Sequence, residues 1–351
     1  MEKLADKKPD VEDRSGMLRD IAMGLEKSQV FLTAVELNIF TKLKEPKTAE
    51  ALSTELGTHQ ELTHRFLDIL TALGVLAKHG NQYTTAPSVA PFLIEGEPYN
   101  LKHYWEHISE VRDNWVNLKQ ILKANHLNRP DISAIHEHKF DSDLIGWIAR
   151  WAMLGRLQAT LKVVSKLPEF KNARRLIDLG GGHGLFAIGF AQENPKLEAI
   201  VFDRPEVIKI TQEYIARYGM QDRVRTIAGD FTKDDLGSNY DIAFESLAHY
   251  EPKERMIAFY RRVHAVLNDG GILITQRHTI DHDENGPLWS LVMDMSWRMH
   301  YGKPFCFTND EFFTILEKSG FSGDQIIDMS EWSGGMPIRL IIARKRDFRY
   351  I

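Results

Sequence analysis

Residues 175–184 restrict this chain most: a short apolar run ending in Asp178 and Leu179 meets Gly180-Gly181-Gly182-His183-Gly184 without a break. The run suits a buried strand. Glycine has no Cβ, so the turn can take positive φ and a ligand can touch backbone. Residues 185–192 then carry the apolar spacing of a helix. Strand, glycine turn and helix N-terminus together make a nucleotide-sized site. The glycine string alone also fits a dinucleotide-binding domain, or only a tight turn.

Two further segments narrow the choice. Ala199-Ile200-Val201-Phe202 reads as a strand ending at Asp203, about twenty residues past the glycines, where a carboxylate can accept from both ribose hydroxyls. A third unit, residues 224–231, ends in Gly229-Asp230-Phe231. Asp230 can take an adenine amino group, and Phe231 can pack on the ring. With Asp178 these acids form an acidic rim, and no Lys or Arg stands in the glycine turn. That suits a cationic, phosphate-free ligand better than a pyrophosphate.

The segments 178–184, 201–208 and 229–231 resemble the S-adenosylmethionine motifs of class I methyltransferases. More closely, they are similar to the small-molecule O-methyltransferases acting on caffeate, polyketides and phenazines. The resemblance spans nearly the whole chain. It implies an α/β fold: a Rossmann-like seven-stranded methyltransferase domain preceded by a mostly α-helical winged-helix dimerisation domain. It implies S-adenosyl-L-methionine as cofactor, S-adenosyl-L-homocysteine as product, a small-molecule substrate and a homodimer. Gly180 and Gly182 would lie against the methionine part, Asp203 on the ribose, and Asp230 and Phe231 on the adenine, with Asp178 and Ser246 beside them.

The remainder of the sequence agrees with a soluble enzyme of this size. Its 351 residues suffice for two domains. Hydrophobic content of 43%, charged content of 26% and a net charge of -5 give no reason to expect nucleic acid or membrane as partner. The polar start has no apolar signal core, and the one cysteine, Cys306, excludes an internal disulfide and a cysteine-cluster metal site. Cytoplasm is the expected compartment.

Residues 1–15 read as a flexible tail, 16–98 as the winged-helix dimerisation domain, 99–170 as helical linker and pocket helices, and 171–351 as the catalytic domain. Within the second of these, helices are expected over 17–40, 48–56 (Thr48 as N-cap, Gly57 as stop) and 60–73, then a hairpin around Gly80-Asn81. A winged helix raises DNA binding as a rival. The third helix carries Glu61, His64, Arg65 and Asp68, a mixed face without the clustered cations that phosphate contact needs. In the resembled family the module intertwines two subunits and closes part of each active site. Residues 99–127 and 141–167 read as aromatic helices, with Tyr104, Trp105, Trp147, Trp151 and Met153. The family places the second against cofactor and acceptor, with Met153 as a cofactor contact; core packing is the simpler account of such a stripe.

Strands are expected at 175–179, 199–203, 225–228, 241–244, 271–276, 325–329 and 338–344, the last two joined as a hairpin through Trp332-Ser333-Gly334-Gly335. Methyl transfer to a hydroxyl needs alignment and removal of a proton, and histidine is the usual acceptor near neutrality. The segment 245–254 resembles the family's leucine-histidine-aspartate-tryptophan stretch, which makes His249 the expected general base. The register is one residue short, and Tyr250 replaces the usual aspartate and could face the pocket instead. Asp294 stands where the family carries an acid that orients the base. Met293, Trp297, Arg298 and His300 share its helix, which also reads as a solvated face. Tyr104, Trp105, Trp147, Met293 and Trp297 are the expected apolar acceptor slot, to which Trp332 and Met336 could add, and Arg298 or Arg339 could hold an acceptor carboxylate or be ordinary surface ion pairs. No metal is expected; His249, His300 and Asp294 lack ligand spacing.

O-methylation with His249 as base leads. S- or C-methylation of a small thioether or oxo acid, catalysed mainly by positioning, is the alternative. A non-catalytic winged-helix regulator that binds the cofactor is the second.

Overall fold

The computed structural model describes residues 11–110, 115–124 and 140–346. The chain divides into two compact units, Met1–Glu110 and Val111–Ile351.

In the first unit the expected single helix over 17–40 is three: Ser15–Ala22, Gly24–Glu36 and Ile39–Lys42. Asn38 breaks the last junction with φ 53°, a left-handed conformation that a helix interior does not hold. Helix Ala49–Leu56 begins as expected, with Thr48 Oγ1 accepting from the Ala51 amide at 3.2 Å, and ends at Gly57 with φ 67°. Helix Gln60–Ala72 follows, then the hairpin β2 (Leu76–His79) and β3 (Gln82–Thr85), closed by Gly80-Asn81. A two-residue strand that the pattern did not reveal, β1 (Lys47–Thr48), pairs with β3. Leu52, Leu67, Leu70 and Tyr83 are buried in this unit's core. On helix Gln60–Ala72, Asp68 is ion-paired both to Arg65 of the same helix and to Lys78 of β2, so these two cations are already engaged. The aromatic stretch begins as helix Lys102–Glu110, where Trp105 packs edge-on against Phe31 at 5.0 Å. The expectation of helix over 99–127 lies partly outside the described residues.

The second unit is built on a central sheet. Its strands are β4 (Arg175–Leu179), β5 (Glu198–Asp203), β6 (Val224–Ala228), β7 (Tyr240–Ser246), β8 (Leu267–Ile280), β10 (Phe321–Asp328) and β11 (Ile338–Lys345), in the order β10-β11-β8-β7-β4-β5-β6. β4 to β8 run parallel, while β11 is antiparallel to both β8 and β10. The expected seven strands are therefore present. An eighth, β9 (Phe307–Thr308), pairs with the far end of β8, which runs longer than its apolar pattern implied. Helix Leu185–Glu193 is buried from Leu185 to Ala191, which suits a segment apolar all round. The expected helix over 141–167 is two, Ser142–Met153 and Arg156–Val164. Gly155 separates them with φ 134°, and a Cβ there would come 3.1 Å from the Trp332 carbonyl. Strand order reverses at β4, which lies between β5 and β7. Ligands of open α/β sheets bind outside the carboxyl ends of strands at such a switch point.

Candidate active site

The glycine turn leaves the end of β4 at that switch point. Gly180 has φ 66°, and a Cβ on it would lie 2.5 Å from Ala248 Cβ and 3.1 Å from Phe231 Cε1. The loop after β7 thus closes directly on the turn, which only a glycine permits. Gly182 differs: its φ is 55°, and no heavy atom comes within 4 Å of where a Cβ would stand. It presents an open backbone face, the cradle that a ligand needs.

Three acids edge the turn. Asp178 is 1% exposed. Among the described residues, neither of its carboxylate oxygens meets a partner in hydrogen-bond geometry. Burial, then the nearby Asp203 charge, push its pKa up to about 8, and the Ala187 amide offsets little of this. Asp203 ends β5, accepting from the Gly182 amide at 2.8 Å and the Arg204 amide at 2.7 Å. Burial raises its pKa as well. A carboxylate has about four acceptor positions, so two remain for other donors. Asp230 is more open, bonded to the Thr232 amide at 3.0 Å and Lys233 Nζ at 2.8 Å. Burial works against its charge, yet Lys233 and Thr232 outweigh it and hold the pKa down to about 2.

Arg156 is the residue that motif reading missed. It opens helix Arg156–Val164, is 2% exposed, and donates to Ser246 Oγ at 2.9 Å and Gln276 Oε1 at 3.2 Å. Trp151 and Phe186 stack on the guanidinium at 4.5 and 5.4 Å. Among the described residues no acid is ion-paired to it, and burial lowers its pKa to about 10. Its only sequence signal was its place after Gly155, at a break that periodicity did not reveal. Its neighbour His183 is 3% exposed, accepts from the Leu185 amide at Nδ1 (3.0 Å), and is held neutral, its pKa brought down to about 3 by burial and then Arg156.

His249 lies 7% exposed beyond β7, its ring 4.4 Å from Phe259 and 6.1 Å from Phe231. Its Nε2 has no hydrogen-bond partner among the described residues. Burial lowers its pKa, so the imidazole is neutral near pH 7. Asp294 spends its carboxylate elsewhere, accepting from the Phe305 and Cys306 amides at 2.8 and 3.0 Å and from Arg298 Nε at 2.6 Å. Tyr250 stacks on Phe305 at 4.6 Å and belongs with Met293, Trp297 and Trp289 to one apolar cluster around Ile280, Phe305 and Cys306. His300 packs edge-on to Tyr301.

Met153 ends its helix 36% exposed, and Trp147 stacks on Trp151 at 6.2 Å. Arg339 on β11 pairs with Asp328 at 2.6 Å and Asp281 at 3.4 Å. Tyr104 and Trp105 belong to the first compact unit. Among the described residues, no group of three or more His, Cys, Asp or Glu could hold a metal ion. Among them, no helix is long and apolar enough to cross a membrane.

Family comparisons agree with this architecture over both units. The O-methyltransferase domain model matches residues 150–322, and the O-methyltransferase dimerisation domain model matches residues 20–94. The chain belongs to the O-methyltransferase family. It is an S-adenosylmethionine-dependent methyltransferase. An uncharacterized protein of Methanocaldococcus jannaschii is 33% identical over 86% of this chain and 82% of its own length. The 3-hydroxy-5-methyl-1-naphthoate 3-O-methyltransferase of Streptomyces sahachiroi is 26% identical over 87% of this chain and 89% of its own. Among solved structures, human N-acetylserotonin methyltransferase in complex with SAM superposes with a TM-score of 0.71 at 20% identity, covering 97% of this chain and all of that one.

Proposed function

We propose that this enzyme methylates a hydroxyl of a small aromatic acceptor, working as a homodimer with His249 as general base. The methyl donor is S-adenosylmethionine, which supplies an electrophilic methyl on a sulfonium. The observation that carries the donor site is a pair of buried groups that meet no oppositely charged side chain among the described residues: the Asp178 carboxyl, which burial keeps protonated near neutrality, and the Arg156 guanidinium. They stand at the carboxyl ends of adjacent strands, Asp178 in β4 and Arg156 against Ser246 of β7. Desolvating either charge alone is costly. A ligand bearing an ammonium and a carboxylate, as an amino-acid end does, compensates both. Gly180, Gly182 and Ser246 would lie along that end. Asp203 would take the ribose hydroxyls, and Asp230 and Phe231 the adenine, with Met153 a further contact.

A neutral, water-shielded imidazole with a free nitrogen supports the choice of oxygen as acceptor atom, because it can take the hydroxyl proton. Tyr250, Met293 and Trp297 are the first candidates for the acceptor slot, from the cluster they form. Asp294 acts on the base side by fixing the backbone at Phe305 and Cys306. Trp147 and His300 are proposed as further acceptor contacts. Arg298 and Arg339, both ion-paired, would hold an acceptor carboxylate only in exchange for Asp294, or for Asp281 and Asp328. Residues 16–98 would dimerise, 99–170 would link and line the pocket, and 171–351 would carry the chemistry. The Streptomyces relative is named for a hydroxynaphthoate, which makes fused-ring phenols the first acceptors to try.

The test is calorimetric titration with S-adenosylmethionine and S-adenosylhomocysteine on the wild type and Asp203→Ala, followed by a phenol panel read by mass shift. Micromolar binding that Asp203→Ala abolishes, with transfer to a phenol, supports the reading. Binding with transfer only to thioethers or carbon acids sinks the hydroxyl assignment.

A further inference from the structure

A fully buried ion pair grips the backbone of His249. Glu245 is 0% exposed and Arg277 2%. Their charges lie 3.8 Å apart. Glu245 Oε1 accepts from the His249 amide at 3.1 Å. Arg277 Nη2 donates to the His249 carbonyl at 2.6 Å. One residue's peptide groups are thus held from both ends by opposite buried charges. Tyr260 ties the two together: its hydroxyl accepts from Arg277 Nη1 at 2.7 Å and donates to Glu245 Oε2 at 2.8 Å. Thr275 Oγ1 donates to the same oxygen at 2.8 Å. Phe312 covers the guanidinium at 4.5 Å.

The approach to the clamp is strained. Leu247 has φ 56°, a conformation that a branched side chain rarely takes. Its amide donates to the Gln276 carbonyl at 2.9 Å, which pins the kink to β8. Such strain persists only where surrounding contacts over-determine it, and it gathers at functional sites. A buried ion pair is poor evidence for stability, because packed apolar residues often serve as well. Here both charges are directed at the backbone of a single residue whose side chain is the proposed base.

We infer that Glu245 and Arg277 are positioning residues that set the imidazole of His249 for proton removal. This rests on the assignment of His249 as base. A misplacement of about 1 Å can cost on the order of 10²-fold in rate, so a loosened clamp reads out as slower turnover.

The experiment measures methyl transfer to a hydroxynaphthoate by Arg277→Lys, Glu245→Gln, His249→Ala and the doubles Arg277→Lys/His249→Ala and Glu245→Gln/His249→Ala. Affinity for S-adenosylhomocysteine and the ¹³Cε1 signal of His249 in the holoprotein are recorded beside it. Both clamp variants are chosen to keep a donor or an acceptor in place, so that the fold survives. The expected result is a fall in kcat of about tenfold or more for each single clamp variant, with ligand affinity within about twofold and a shifted or broadened His249 signal. In the His249→Ala background the same changes should cost nothing further, because the group they position is gone. Equal losses in both backgrounds, or a folded Arg277→Lys with wild-type kcat, would overturn the clamp while leaving the base assignment standing. Wild-type turnover by His249→Ala would overturn the base assignment, and the clamp with it.

Discussion

Asp178 shows how a single residue carries a cost in the free protein that a ligand can remove. Its folded pKa, about 8, lies above the ordinary 3.8. Between those values the folded protein holds a proton that the unfolded chain releases, so stability falls as pH climbs from about 4 to about 8. Asp178→Asn removes that slope. Thermal melts of ligand-free protein should show the variant melting several degrees above wild type at pH 8 and level with it near pH 4; parallel curves would contradict the assignment. The same variant should bind S-adenosylhomocysteine more weakly, having lost the anion. His249 has the opposite sign. Burial lowers its pKa, so the acidic limb of kcat/KM should fall below the ordinary 6.5. His249→Ala should lose about 10²-fold in kcat, roughly 2.7 kcal/mol of barrier, and abolish that limb. A variant that keeps both rate and limb would point to catalysis by positioning alone.

At the scale of elements, the glycine turn is held by contacts of two kinds. Gly180 is filled from the protein side, where an added Cβ would strike Ala248, whereas Gly182 is open. Gly180→Ala should therefore destabilise the protein by about 1–3 kcal/mol through overpacking, on top of backbone strain at φ 66°. Gly182→Ala meets only the strain and should cost less stability, yet it places a methyl in the cradle and should weaken cofactor binding. Denaturant melts and calorimetry on the two variants separate these effects; equal stability losses with unchanged binding in Gly182→Ala would show that the open face is not a ligand surface.

For the whole molecule the question is assembly. Met17, Leu18 and Ile21 of the first helix are 55%, 61% and 69% exposed, and that helix buries no residue within the chain. An apolar helix left in water calls for a partner surface, and the dimerisation model covers residues 20–94. Light scattering should give twice the 40.3 kDa of one chain. Leu18→Glu with Ile21→Glu should shift it toward monomer, and a wild-type mass near one chain would refute the homodimer.

Local pattern made much of this protein legible. Alternation of apolar strands with helices, the glycines after β4 and the acids at the ends of β5 and just past β6 specify the fold and the proposed cofactor rim, because each depends on a few adjacent residues. Thr48 and Gly57 marked helix ends for the same reason. The break at Gly155 was hidden, since a helix tolerates one glycine and only the nearness of the Trp332 backbone shows why this one turns. Tertiary structure alone decided the rest. Asp178 and Arg156 are 22 positions apart in the sequence and become significant only when both are buried with no oppositely charged side chain beside them among the described residues. Glu245 and Arg277 look like isolated charges in apolar strands until β7 and β8 pair and turn them toward the backbone of one residue. Burial and long-range pairing set the electrostatics of the site, and neither is a property of any short stretch of chain.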